Sequence, residues 1–165
     1  MFLSIFKAIE ETGLSIWIRE SSSVFSFWFI LSMHAIGMGL LVGASVLIGL
    51  RILGFAPDLP LAPLKRFYRF IWVGFWIQVV SGIFLLIGYP TKSLTNPLFY
   101  VKLTLIGFAI ASMQMLRNRV FADSSLSEAA MMAKGRVAAI CSLIFWVGAV
   151  TAGRLLAYTY TVLTA

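Results

Sequence analysis

The sequence holds one histidine, one cysteine and only six acidic residues among 165, and each scarcity excludes some chemistry. Cys141 alone cannot form an internal disulfide or a thiolate metal site, so in its apolar surroundings it reads as core packing. All six acids fall outside the long apolar runs, which leaves no paired intramembrane carboxylates for a proton path. No set of nucleophile, base and orienting group can be assembled, and no glycine-rich phosphate loop is present. Copper would need several Met, His or Cys ligands together; Met113 with Met115, and Met131 with Met132, lie far along the chain from the histidine.

Apolar residues supply most of what is there. The chain is 61% hydrophobic and 12% charged, with a mean hydropathy of +0.97, values that belong to an integral membrane protein. Its 13 Lys and Arg outnumber the acids, but they stand singly or in small groups at the ends of apolar runs. Topology and anionic lipid head groups account for that placement better than nucleic acid. At the start of the chain Phe2, Ile5, Phe6 and Ile9 recur at helical spacing and Ile16, Trp17 and Ile18 form an anchor. Lys7, Glu10 and Glu11 interrupt any signal-peptide core, so residues 1–20 are expected to form an amphipathic helix in the membrane interface.

A bilayer core of about 30 Å takes about 20 helical residues. Laid on the intervals between charges, that length predicts an all-α, four-transmembrane-helix bundle forming a single membrane domain over 1–165. The spans fall at about 22–50, 66–89, 97–117 and 136–162. The first starts behind the cluster Ser21-Ser22-Ser23, and Arg51 marks its exit. The uncharged stretch Leu103–Leu116 has only 14 residues, so its helix must begin at Asn96 as N-cap with Pro97 in the first turn, which embeds Lys102. Val137–Gly153, at 17 residues, is equally marginal, and continuing it embeds Arg154. Small residues at Ala35, Gly39 and Gly43, at Gly74 and Gly82, and at Gly148, Ala149, Ala152 and Gly153 suit close helix contact. Eight cations occupy the two connections, Arg51–Arg69 and Arg117–Arg136. These loops are therefore expected in the cytoplasm, and both termini in the periplasm of a bacterial inner membrane.

His34 lies in a run, Ser21–Leu50, that has no Asp, Glu, Lys or Arg. An ionisable, metal-binding side chain there is a functional candidate. At 1.5 Å per residue His34 falls roughly 3 Å to the periplasmic side of the membrane centre, and Lys102 and Arg154 roughly 8 to 9 Å to the same side. Gln78 shares the depth of His34 and is the nearest candidate partner. An imidazole with two cations above it suits b-type haem: iron at His34, propionates at Lys102 and Arg154, room for the ring at Gly37, Met38 as neighbour or weak ligand, and Trp76 packed on the macrocycle. One histidine per chain then implies a second His34 from another subunit, hence a homo-oligomer such as a dimer, or an open iron position. Simpler readings stand beside this. In them His34 only bridges two helices, and the two cations reach head groups, as the aromatic belt Trp17, Trp28, Trp72, Tyr89, Tyr100, Tyr158 and Tyr160 does.

The segments Leu14-Ser-Ile-Trp-Ile-Arg-Glu-Ser21, His34-Ala-Ile-Gly-Met-Gly-Leu-Leu-Val-Gly43, Leu50-Arg-Ile-Leu-Gly54, Asn96-Pro-Leu-Phe-Tyr-Val-Lys-Leu103 and Ala152-Gly-Arg154 together resemble a bacterial family of small four-span inner-membrane proteins of unknown function. The first span also resembles, distantly, the copper-resistance D and cytochrome b561 group, whose members use several intramembrane histidines where this chain has His34 alone. The resemblance implies that His34, Lys102 and Arg154 are motif positions. The functional expectation is a cytochrome b-like protein for electron transfer or haem handling, more a carrier than an enzyme, in contact with the lipid bilayer and a redox partner. The alternatives are an accessory or scaffold subunit of a membrane complex, or a quinone- or lipid-binding protein.

Overall fold

The computed structural model describes residues 2–123 and 125–163, without the side chains of Phe2 and of residues 160–163, so that Tyr160 of the expected belt lies outside the described side chains. The elements are α1 (Phe2–Glu10), α2 (Gly13–Glu20), α3 (Phe27–Ile52), α4 (Tyr68–Gly88), α5 (Pro90–Leu94), α6 (Pro97–Leu116) and α7 (Glu128–Leu163). A 3-10 turn, Ala62–Phe67, leads into α4, and a π turn, Arg117–Phe121, ends α6. Four stretches are long and apolar enough to cross a membrane: Phe27–Ile52, Ala62–Gly88, Pro97–Phe121 and Glu128–Thr159. The protein is a four-helix membrane bundle.

The single interfacial helix expected over 1–20 is two helices. Thr12 breaks it: its hydroxyl donates to Ile9 O at 2.7 Å and accepts from Ser15 N at 3.4 Å, capping α2. Both pieces are tied to the far end of α4. Ile18 is fully buried against Gly88, Ser15 Oγ donates to Ile87 O at 2.9 Å, and Arg19 reaches Gly88 O at 3.1 Å and Glu10 O at 2.8 Å. Helix α3 begins five residues later than expected because the serines bond locally. Ser26 Oγ donates to Ser23 O at 2.7 Å, and the hydroxyls of Ser21 and Ser23 accept from the amides of Ser23 and Phe25, each at 3.2 Å. Asn96 caps α6 as expected, accepting from Leu98 N at 3.0 Å, and its amide donates to Thr159 of α7 at 2.9 Å.

Helix α7 starts about two turns earlier than the expected 136, at Glu128. The cause is Arg51. At the exit of the first span, where the sequence places it, Arg51 is 4% exposed. Its guanidinium donates to Leu59 O, to Pro57 O at 3.1 Å and to Glu128 at 3.2 Å, while the second Glu128 oxygen accepts from Leu61 N at 2.7 Å. One ion pair thus holds the first connection against the start of α7.

Helices pack as two antiparallel hairpins, α3 with α4 and α6 with α7, joined by a lesser contact of α3 with α7; α4 and α6 do not pack closely. The buried core, including Ile48, Ile52, Leu64, Tyr68, Met113 and Leu116, lies in the half nearer the two connections. There Tyr68 bridges the gap, donating to Met113 O at 3.1 Å. Toward the termini the α4–α6 gap stays open.

Candidate functional site

The site is positioned by a glycine crossing. A Cβ on Gly74 would stand 2.6 Å from Leu41 N and 2.8 Å from Gly37 O, and one on Gly37 would meet Ile77 at 2.8 Å, so α3 and α4 touch backbone to backbone. His34 is one turn from Gly37 on the same helical stripe and therefore faces α4 at Ser81 and Gly82. The imidazole lies over Gly82, where an added Cβ would be 3.4 Å from His34 Cε1. Gly39 and Gly43 meet nothing within 4 Å of an added Cβ. The small-residue row expected on α3 is therefore displaced: Gly37, held to be room for a ring, makes the helix contact instead.

His34 Nδ1 is 2.9 Å from Ser81 Oγ. Ser81 has a single proton, which it donates to Ile77 O at 2.5 Å. It must therefore accept from His34, which places the imidazole proton on Nδ1 and the lone pair on Nε2. Nε2 has no hydrogen-bond partner among the described residues. Fixing one ring nitrogen by a hydrogen bond and presenting the other is how proteins prepare a ligating histidine.

His34 opens onto a cavity of about 460 Å³ in the α4–α6 gap, within the size range of small-molecule sites. Its walls are mainly apolar, among them Phe75, Phe99 and Leu156. Gln78 and Lys102 are the other strongly polar groups in it, with Ser93 at one edge. Gln78 Oε1 is buried with no hydrogen-bond partner among the described residues. The Lys102 side chain runs past Gly153, whose missing Cβ would lie 3.6 Å from Cδ and Cε. The cavity wall thus carries one imidazole, one amide side chain and one cation.

Of the seven residues singled out in the sequence, His34, Gln78 and Lys102 meet in this cavity. Gln78 is not the partner of His34; Ser81 is, and a lone hydroxyl three residues on in an apolar span was the available signal. Trp76 is 60% exposed and lines a separate apolar groove with Phe29, Met33 and Phe84, since two residues along a helix turn the side chain about 200° from Gln78. Arg154 is exposed and does not line the cavity; its neighbour Gly153 faces Lys102 instead. Met38 is half-buried and does not line the cavity, so among the described residues no second His, Cys or Met lines it beside His34. Among the described residues no three His, Cys, Asp or Glu come together as a metal cage.

Fold and site define a four-helix membrane protein with a polar-headed cleft between its two hairpins. No family model, curated protein or solved structure matches the chain.

Proposed function

We propose that this is a b-type cytochrome-like membrane protein that binds haem b through His34 and serves electron transfer or haem handling rather than catalysis of its own. The observation that carries this reading is the Ser81–His34 bond, which leaves the Nε2 lone pair for a metal. Haem, when bound, supplies one-electron chemistry. Within this reading His34 would hold the iron, with Ser81 orienting its imidazole and Gly82 leaving the ring flat space, and Lys102 would meet a carboxylate of the haem. Arg154, outside the cavity, has no part in the site. Since each chain has one histidine, a second protein imidazole would have to come from His34 of another copy in a homodimer.

The chain resides in a bacterial inner membrane with both termini periplasmic, a placement supported by the eight cations of the two connections. The decisive measurement is the visible spectrum of protein purified from haem-replete cells. A Soret band that His34→Ala abolishes is the expected result. Absence of the band, or its survival in His34→Ala, sinks the haem reading.

The unpartnered Gln78 Oε1 favours a second reading, a quinol. Its hydroxyls would bond the His34 imidazole and the Gln78 side-chain amide at the cavity wall, the amide turning to present its oxygen. Organic extraction of a stoichiometric quinone from protein lacking a Soret band would establish it. Stoichiometric co-purification of other subunits with neither ligand would make the chain a scaffold.

A further inference from the structure

The α4–α6 gap widens again at the end that carries the two connections, beyond the Tyr68 bridge. A cavity of about 920 Å³ there is lined by Lys65, Arg66, Arg69 and Arg117, with Trp72 and Val73 among its apolar walls. All four cations are exposed, and none has a hydrogen bond or ion pair to a described residue. No acid among the described residues lines the cavity beside them. Glu128 is engaged by Arg51 and by Leu61 N, and Asp123 accepts from the amide and hydroxyl of Ser125 at 3.1 and 2.6 Å. Neither of these acids, nor Asp58, lines the cavity.

The cavity has the polarity of a lipid. Arg69, Trp72 and Val73 stand at i, i+3 and i+4 on one face of α4, with the cation at the helix entrance and the apolar pair about 6 Å deeper. A soluble anion would use the cations and leave Trp72 and Val73 idle. We propose that this cavity is a binding site for an anionic glycerophospholipid, its phosphate held by Arg66, Arg69, Arg117 and Lys65, and one acyl chain lying over Trp72 and Val73 in the gap. Four cations match a two-phosphate lipid of the diphosphatidylglycerol type better than a single phosphate. The proposal does not depend on what occupies the His34 cavity.

Native mass spectrometry and thermal denaturation of the full-length protein in mild detergent test it. Retained diphosphatidylglycerol, and a rise in melting temperature with that lipid but not with phosphatidylethanolamine, are expected. The triple variant Arg66→Gln, Arg69→Gln, Arg117→Gln is expected to bind about 100-fold more weakly. Arg119→Gln with Lys134→Gln, which removes two cations of the same end facing another groove, leaves binding unchanged. Equal losses in both variants, or equal stabilisation by both lipids, overturn the proposal, as does pyrophosphate acting as well as the lipid. If the triple variant does not fold, Arg117→Gln alone and the lipid count on the unaltered protein still decide.

Discussion

Ser81 gives its proton to Ile77 O and takes one from His34, so Ser81→Ala removes the bond that fixes the imidazole without opening a large void. If His34 holds haem as proposed, the expected outcome is an intact helical fold with haem retention weakened about 10- to 100-fold, read by titration of haem into the purified protein. Lys102→Gln is expected to weaken ligand retention in the same titration, while Arg154→Gln leaves it unchanged, because only Lys102 lines the cavity. Counting residues placed both cations at one depth. It could not separate them, since depth advances by 1.5 Å per residue while azimuth advances by about 100°. That is why Gly153 faces Lys102 while Arg154 lies outside the cavity.

Helices α3 and α4 can lie as close as they do only because Gly37 and Gly74 oppose each other. Gly74→Ala places a methyl 2.6 Å from Leu41 N and must push the hairpin apart, at a cost of about 1 to 3 kcal/mol. Gly39→Ala and Gly43→Ala, with nothing within 4 Å, are expected to leave thermal stability unchanged. Melting temperatures of the three variants check this ordering. The same crossing sets the height at which His34 meets Ser81, so Gly74→Ala should also weaken the ligand site. In the sequence all these glycines look alike, because a row of small residues marks a surface fit for contact but does not say which row is used.

Across the whole molecule, Arg51 and Glu128 join the first connection to α7. Glu128→Ala leaves a buried guanidinium uncompensated and is expected to cost about 3 kcal/mol, whereas Glu128→Gln, which keeps its acceptor, costs less. Glu20, exposed and 4.0 Å from Arg19, serves as the control, and Glu20→Ala changes little. Denaturation in detergent gives the three values. For topology, an alkaline phosphatase fused after the C-terminus should be active and one inserted near Pro60 inactive, if the termini are periplasmic; the reverse pattern inverts the proposed orientation.

The sequence by itself determined that four helices cross, where Asn96 and Pro97 start the third, and that His34 and Lys102 lie within the spans. Those are properties of length, hydropathy and capping, which act along one dimension. The tertiary structure decided which side chains share a cavity, that Ser81 rather than Gln78 orients the histidine, that Arg51 is buried, and that the two hairpins leave a gap between α4 and α6. Those follow from helix rotation, and rotation is set by which glycines of one helix receive the backbone of the next.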